Sequence, residues 1–406
     1  MTPRSQSALT LLTVSLAALV TLCALQGLPM ADALVYRAEG AAVAHGGDLY
    51  GFTVTEWQLP ATYPPFAAVL FVPTTWLPVA ALKAAFLVVN TGLLTALLHL
   101  SAKLAGLRTR PTALCAATAL ALWLEPVFQT VLFGQINLAL ACLVLWDLTR
   151  PPGSPAHGFG IGVAAGIKLT PAVFIAYLLL TRRVREGCTA LAAFAGTVLL
   201  GALVLPYATV EFFTRRVFET GRVGKAWIVD NQSLQGLVAR VLHTAEPGLA
   251  WAVPAGVLGV AGLWLARRSG DGPWGILATA CTALLVSPIS WSHHWVWCVP
   301  LLVLLWARGH RRTAAAVAVV FTARTMWLLP HAGDLDLRLP WWQQALASPY
   351  PLLVLALTPL VWLGGVDGPQ RAHAVEQLDE DDDRDLCDHV VLGEDAVRDD
   401  RLAQRP

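Results

Sequence analysis

Charged residues are scarce in this sequence. They make up 14% of the 406 residues, about half the share of an average soluble domain, so an ordinary soluble domain is excluded for most of the chain. The seven cysteines are scattered, without a C-x-x-C pair or a cluster with histidine, which argues against a disulfide framework or a zinc site. A P-loop is also absent, so the sequence does not predict nucleotide chemistry of that kind. No nucleic-acid partner is expected.

The sequence instead contains several long apolar runs. Hydrophobic residues make up 56% of the chain and the mean hydropathy is +0.58. Runs of about 20 apolar residues are long enough to cross a bilayer as helices. We therefore expect an all-α polytopic membrane protein with about ten to thirteen transmembrane or re-entrant helices.

The orientation follows from the distribution of basic residues. The first apolar run, Ala8 to Leu28, contains no charge and is preceded by Arg4. The positive-inside rule then places the N-terminus in the cytoplasm and Asp32 on the other side. We expect this run to be a retained helix and not a cleaved signal peptide.

Two segments interrupt the pattern of simple spans. Pro73 and Pro78 break the apolar stretch between residues 64 and 100, which indicates a broken or re-entrant piece. The stretch from Gly158 to Thr181 has arginines at both ends and Lys168 in its middle. We expect it to be a broken hairpin with Lys168 near the outer side, while Glu125 to Gln135 is expected to form an outer turn.

The C-terminal segment differs from the rest of the chain. From Asp367 onward it carries 13 of the 27 acidic residues, including the run Asp379 to Asp383. Such a composition favours a disordered tail. We therefore expect a membrane domain over residues 1–365 and an acidic cytoplasmic tail over residues 366–406.

The first membrane exit holds the strongest catalytic candidate. Asp32 begins a possible short helix that extends to His45. It could simply cap that helix, but a carboxylate there could also act as a base beside a lipid-borne substrate. Glu39 would share its helical face, although a solvated position is the simpler interpretation for Glu39.

Other polar residues are expected to converge on the same face. An intramembrane lysine is costly and is usually paired or functional, so Lys168 is a candidate ligand for an anionic phosphate, with snorkelling as the alternative. His293 and His294, flanked by tryptophans, could also bind a phosphate near neutral pH. Amides suit sugar hydroxyls because they donate and accept hydrogen bonds, and aromatic rings stack on sugars; the candidate substrate-binding residues are Tyr63, Gln135, Asn137, Asn231, Gln232 and Trp291.

The candidate residues lie in a series of short motifs. In chain order, after Asp32, these are TYPP, GQIN, GIKLTP, NQSL and the distinctive SPISWSHHW. This series resembles glycosyltransferase family 87, and the resemblance covers about residues 10 to 365. Family 87 contains the actinobacterial polyprenol-phosphate-mannose-dependent α-(1→2)-mannosyltransferases. The resemblance implies a GT-C fold, Asp32 as the catalytic acid residue of the first outer loop, a lipid-phosphate sugar donor and an inverting mechanism.

The expectation is therefore a plasma-membrane mannosyltransferase whose active site faces the extracytoplasmic side. It would use a polyprenyl-phosphate-mannose donor and a glycolipid acceptor among membrane lipids, with Asp32 as base and with no cofactor, although a divalent metal is left open. One alternative is transfer of arabinofuranose or another sugar. Another, of a different class, is a lipid or solute transporter, which would predict inverted repeats that the sequence does not show.

Overall fold

A computed structural model describes residues 3–25, 27, 30–151 and 153–364 of the chain. The chain divides into two units, residues 1–353 and 354–406. Of the second unit, only residues 354–364 are described. The expected acidic tail therefore lies outside the described residues.

Among the described residues, the first part of the chain forms seven helices and a small hairpin. The hairpin pairs two antiparallel strands of two residues each, with Thr53 opposite Pro60. A 3-10 turn, Val72–Trp76, follows α3. The elements are α1 (Pro3–Leu25), α2 (Ala31–His45), β1 (Thr53–Val54), β2 (Leu59–Pro60), α3 (Pro65–Phe71), α4 (Val79–Leu104), α5 (Pro111–Ala121), α6 (Glu125–Phe133) and α7 (Asn137–Leu148).

The second part is also helical, and short 3-10 turns connect its helices. Three of these turns matter for the site: Thr170–Ala172, Ser292–Trp297 and Thr325–Leu328. The helices are α8 (Phe159–Ile167), α9 (Val173–Leu180), α10 (Val184–Val204), α11 (Pro206–Thr214), α12 (Leu234–Val241), α13 (Leu249–Arg268), α14 (Pro273–Val286), α15 (Cys298–Ala307), α16 (Arg311–Ala323), α17 (Gln344–Ala347) and α18 (Pro349–Gly364).

Several helices are long and apolar enough to cross a membrane, which confirms the all-α polytopic class. The described residues contain four such spans, Ser5–Leu25, Val79–Leu104, Val184–Val204 and Leu249–Arg268. The bent pair α5 and α6 would be a fifth. Six shorter apolar helices accompany them, so the expected ten to thirteen segments include pieces too short to span by length alone.

The segment from Glu125 to Gln135 is mostly helical, so the expectation of an outer turn was wrong there. α6 begins at Glu125 and meets α5 at an angle of 80°. Pro126 occupies the first turn of α6, where a missing backbone N–H costs nothing because that group has no partner inside the helix. The proline starts a new helix and does not mark a loop.

The broken hairpin around Lys168 is confirmed. α8 ends at Ile167, Lys168 is extended with φ −146° and ψ 132°, and the chain turns helical again at Thr170. The two ends of the segment meet, because His157 Nε2 lies 2.9 Å from an Arg183 guanidinium nitrogen. A Cβ on Gly162 would lie 2.2 Å from the Ala190 carbonyl oxygen, so glycine permits the close packing of α8 on α10.

Candidate active site

A cavity of about 870 Å³ lies among α2, α6, α14 and the segments around Lys168 and His293. It gathers most of the site residues expected from the sequence. Seven of the ten line its wall: Asp32, Tyr63, Gln135, Lys168, Trp291, His293 and His294. Side chains from distant parts of the sequence therefore meet in one chamber, as the sequence analysis expected.

Asp32 lies in the first turn of α2 but does not cap it. The residue before the helix, Met30, adopts a left-handed conformation with φ 35° and makes no side-chain capping bond. The Met30 backbone amide instead donates to the Leu132 carbonyl at 3.1 Å, which ties the start of α2 to the end of α6. The capping alternative for Asp32 is therefore wrong, and its carboxylate faces the cavity.

The surroundings of Asp32 raise its pKa towards neutral pH. Burial raises the pKa of Asp32 to about 6, while a hydrogen bond from Gln135 and the positive charge of Lys168 oppose that rise. The negative charge of Asp230 raises the pKa further. A carboxylate whose pKa is near the working pH is suited to general-base catalysis, because it is ionised and still basic enough to accept a proton.

Two tyrosines orient the amide of Gln135. The Tyr36 hydroxyl donates to Gln135 Oε1 at 3.0 Å, and the Tyr63 hydroxyl lies 3.3 Å from the same oxygen. Because these donors occupy the oxygen, the amide nitrogen of Gln135 is the group left to donate to Asp32. The sequence analysis missed Tyr36, although its position four residues after Asp32 in a helix places both on one face.

Lys168 makes direct contacts with two other predicted site residues, Asn137 and His294. Its ammonium nitrogen donates to Asn137 Oδ1 at 3.1 Å and lies 2.9 Å from His294 Nε2. It also lies 5.5 Å from the centroid of the Tyr63 ring. These contacts argue against snorkelling of Lys168, because polar partners hold its charge inside the protein.

The two adjacent histidines have different environments: His294 contacts Lys168, whereas the His293 ring is buried without a hydrogen-bonding partner among the described residues. The backbone carbonyl of His293 accepts hydrogen bonds from Asn137 Nδ2 and Thr130 Oγ1, each at 3.2 Å, which fixes the turn that carries both rings. His293 is 4% exposed, and neither of its ring nitrogens has a hydrogen-bonding partner in the described part of the chain. A buried polar ring without a partner on a cavity wall is available to a ligand.

Asn231 and Gln232 do not reach the cavity surface, contrary to the expectation that they bind substrate. Both are 0% exposed. The Asn231 amide nitrogen donates to the carbonyls of Ala226 and Pro288, and the Gln232 amide nitrogen donates to those of Val229 and Ala347. The hydrogen bonds of both side-chain amide nitrogens go to backbone carbonyls, so these amides form the frame of the segment between α11 and α12.

That frame joins two sequence motifs. Asn231 and Trp291 form an antiparallel bridge, and the backbone N–H of Gln232 donates to the Ser290 carbonyl at 2.8 Å. The pairing brings Asp230 onto the cavity wall, where Asp230 Oδ1 accepts from the Ser292 backbone amide at 3.1 Å. Asp230 is a functional candidate that the sequence analysis did not select, although it stands directly before the motif that contains Asn231.

Glu39 is buried, so the expectation of a solvated side chain was wrong. It is 1% exposed, and neither carboxyl oxygen makes a hydrogen bond of normal geometry to a described residue. Burial raises the pKa of Glu39 to about 8, although the nearby backbone of Thr62 lowers it. Burial therefore favours the neutral form of Glu39 over a second negative charge beside Asp32.

The cavity combines the Asp32 carboxylate, the Lys168 ammonium group with two neighbouring histidines, and three tryptophans, Trp57, Trp291 and Trp327. Among the described residues, no three His, Cys, Asp or Glu side chains are grouped to hold a metal ion. Transfer of a group from an anionic carrier to a hydroxyl requires a base and a cationic site for the leaving anion. The fold and the site thus define a polytopic membrane protein with a cavity suited to group transfer.

Comparison with known proteins identifies the family. The sequence profile of glycosyltransferase family 87 matches residues 61–288. The chain belongs to this family and is a multi-pass membrane glycosyltransferase of the GT-C type. The enzyme interpretation is thereby confirmed over the transporter alternative.

Relatives of known name cover most of the chain. A Mycobacterium tuberculosis polyprenol-phosphate-mannose-dependent alpha-(1-2)-phosphatidylinositol mannoside mannosyltransferase is 33% identical over 80% of this chain and 83% of its own length. A pentamannoside mannosyltransferase of the same species, with the same named dependence, is 36% identical over 74% of this chain and 72% of its own. A phosphatidylinositol mannoside mannosyltransferase of Mycolicibacterium smegmatis is 31% identical over 86% of this chain and 87% of its own length. No solved structure matches the chain significantly.

Proposed function

We propose that this protein transfers a mannosyl residue from polyprenyl-phosphate mannose to a hydroxyl group of a phosphatidylinositol mannoside, forming an α-(1→2) linkage. The names of the relatives support the donor, the linkage and the acceptor. The observation that carries the mechanism is the presence of Asp32, Lys168 and His294 on the wall of one cavity.

The proposed step is a single displacement with inversion. The acceptor oxygen attacks the anomeric carbon of a β-linked donor from the face opposite the phosphate, and the bond between that carbon and the phosphate oxygen breaks. Asp32 accepts the hydroxyl proton, and the polyprenyl phosphate leaves with the bonding electron pair. A base positioned in this way contributes roughly 10²- to 10⁴-fold to the rate.

Lys168, His294 and His293 are the proposed ligands of the donor phosphate. Lys168 and His294 are already within 2.9 Å of each other, so a phosphate oxygen bound by one would be near the other. His293 has unused ring nitrogens on the same wall. Preorganised donors of this kind stabilise the charge that develops on the leaving group.

A narrow crevice beside the cavity supports a lipid-linked donor. It shares Lys168 and His294 with the large cavity. Beyond these polar residues its walls are mostly apolar and come from α7, α9 and α14, including Val144, Phe174 and Leu284. A phosphate held by Lys168 could therefore extend its hydrocarbon chain along an apolar surface, where burial of CH₂ groups is favourable.

The proposed location is the plasma membrane, with the cavity open to the extracytoplasmic side, because the basic clusters are expected to stay in the cytoplasm. Single cysteines at Gly47 and Gly309, introduced after replacement of the seven native cysteines, test this orientation. A membrane-impermeant thiol reagent should label Gly47→Cys in intact cells but not Gly309→Cys. The reverse pattern would place the cavity on the cytoplasmic side and contradict the proposal.

The function is tested by transfer of label. Purified protein in lipid vesicles is incubated with polyprenyl-phosphate mannose carrying a radioactive sugar and with phosphatidylinositol mannosides. The expected product is a labelled acceptor. Treatment of this product with an α-(1→2)-specific mannosidase should release the label as free mannose. Transfer from an arabinofuranosyl donor instead would overturn the sugar assignment, and folded protein without any transfer would overturn the function. Activity that persists in EDTA would support a mechanism without a divalent metal.

A further inference from the structure

Glu125 is a buried carboxylate that the proposed transfer step does not use. It is the first residue of α6 and is 0% exposed. Its two oxygens have separate donors: Oε1 accepts from Trp327 Nε1 at 2.8 Å and Oε2 accepts from the Tyr350 hydroxyl at 2.6 Å. Because a buried carboxylate is costly without hydrogen bonds, this arrangement holds both aromatic side chains in defined orientations.

Trp327 belongs to a short segment that α6 fixes at two points. The segment starts after Arg324, which is left-handed with φ 53°. The Arg324 guanidinium lies 3.9 Å from the centroid of the Phe128 ring of α6, and Glu125 of the same helix binds the Trp327 indole. Although it is 202 residues away in sequence from Glu125, Trp327 is thereby held on the wall of the large cavity.

Glu125 binds Trp327 by the edge of its ring, through the indole N–H group. Trp327 lines the cavity and makes a T-shaped contact with His331, with the ring centroids 5.8 Å apart and an interplanar angle of 82°. An aromatic face carries partial negative charge and attracts C–H groups with partial positive charge, such as those on the apolar side of a sugar ring. A tryptophan held by its edge on a cavity wall is therefore suited to stack on a sugar.

The position of Trp327 favours the acceptor sugar over the donor sugar. Its chain neighbour Leu328 is 79% exposed, and His331 is also exposed, so Trp327 lies towards the open side of the cavity. Lys168 and His294, the proposed phosphate ligands, lie where the apolar crevice begins. A glycan that enters from outside would meet Trp327 before it reaches the reacting centre.

We propose that Trp327 is a stacking platform for the sugar of the acceptor and that Glu125 is the residue that positions it. This inference rests on the proposed function, because it assigns a subsite for the acceptor glycan of that reaction. Glu125 acts through Trp327 and does not touch the substrate.

The test measures KM for phosphatidylinositol mannosides and KM for polyprenyl-phosphate mannose in the full-length protein. Trp327→Ala is expected to raise the acceptor KM by roughly three- to tenfold, the range typical of one aromatic contact, and to leave the donor KM unchanged. Trp327→Phe keeps a ring but loses the N–H, so an intermediate rise is expected. Trp341→Ala is the matched control, because Trp341 is 85% exposed in the next part of the chain and should leave both KM values unchanged.

Glu125 is tested by rescue and by a double-mutant cycle. Glu125→Ala should raise the acceptor KM, whereas Glu125→Gln should restore it, since glutamine can accept from the indole and donate to the Tyr350 oxygen. In a Trp327→Ala background, Glu125→Ala should have no further effect on the acceptor KM. A separate, additive effect would show that Glu125 acts elsewhere.

Other outcomes distinguish this inference from the proposed function. If Glu125→Ala does not fold, Trp327→Phe takes its place in the test, because this variant removes the indole N–H and so breaks the same hydrogen bond between Trp327 and Glu125. An active enzyme whose acceptor KM is unchanged in Trp327→Ala would overturn the stacking platform while leaving the function intact. A rise in donor KM alone would assign Trp327 to the donor sugar and would also overturn the proposal. Wild-type protein without transfer would instead overturn the proposed function.

Discussion

Lys168 Nζ lies 2.9 Å from His294 Nε2, although 126 residues separate the two in sequence. The ammonium group donates and the imidazole nitrogen accepts, so the His294 ring carries its proton on the other nitrogen in this arrangement. The pair is compatible with a neutral histidine beside a charged lysine. An arriving phosphate would add the negative charge that this part of the cavity lacks.

Loss of the Lys168 charge should weaken transfer strongly. We expect Lys168→Met to lower kcat by roughly 10²- to 10³-fold, because a donor aimed at the developing negative charge is removed. Lys168→Arg should retain part of the activity, since the charge remains but the guanidinium has a different shape. Steady-state kinetics with varied donor concentration would show the loss; equal activity of both variants with wild type would exclude Lys168 as a phosphate ligand.

Replacement of Asp32 should abolish transfer without loss of the folded protein. Asp32→Asn removes the base, and a loss of roughly 10²- to 10⁴-fold in kcat is expected. Glu39→Gln is the matched control on the same helix. Glu39 is buried with a pKa raised to about 8, so glutamine resembles its neutral form and activity should persist. Near-normal turnover in Asp32→Asn would remove Asp32 from the mechanism.

The pH dependence of transfer should report the ionisation of Asp32. Its pKa is raised to about 6, and the ionised form is the active base. Activity should therefore fall about tenfold for each further pH unit below that value. Above it, activity should reach a plateau and decline again near pH 8, because burial lowers the pKa of Lys168 to about 8 and the lysine then loses its charge. The measurement is kcat/KM from pH 4.5 to 8 in the same vesicles. An acidic limb centred near 4 would mean that Asp32 is not buried as described.

Asp230 should influence this profile through its charge. Its carboxylate raises the pKa of Asp32, because a nearby negative charge disfavours ionisation. Removal of that charge in Asp230→Asn is expected to shift the acidic limb to lower pH. The comparison uses the same kcat/KM measurement as for wild type, and a shift towards higher pH would contradict the electrostatic coupling of the two carboxylates.

Packing of the hairpin that carries Lys168 should depend on Gly162. A Cβ there would lie 2.2 Å from a backbone oxygen of α10, so Gly162→Ala should lower stability by about 1–3 kcal/mol, as overpacking does. Gly196→Ala on α10 is the control, because no atom of another described segment lies within 4 Å of the position of its Cβ. Thermal unfolding in detergent should show a lower Tm for the first variant only. Equal Tm values would show that α8 can shift without cost.

The sequence by itself determined the features that depend on local composition. Apolar runs gave the helical membrane class, and Lys168 with the nearby Pro171 gave the break in the hairpin, because chain length and backbone sterics act over a few residues. The residues after the first apolar run indicated a helix from Asp32 to His45, and the structure places α2 at Ala31–His45. Seven of the ten site residues that the sequence analysis selected lie on the cavity wall.

Only the tertiary structure decided which polar groups face the cavity and which are buried behind it. Glu39 and Asn231 look like cavity or surface residues in the sequence, but other parts of the chain cover them. Glu125 meets Trp327 and Tyr350 across more than 200 residues. Local pattern cannot specify such partners, because burial and hydrogen bonding depend on which segments pack together, and that is determined by the whole chain.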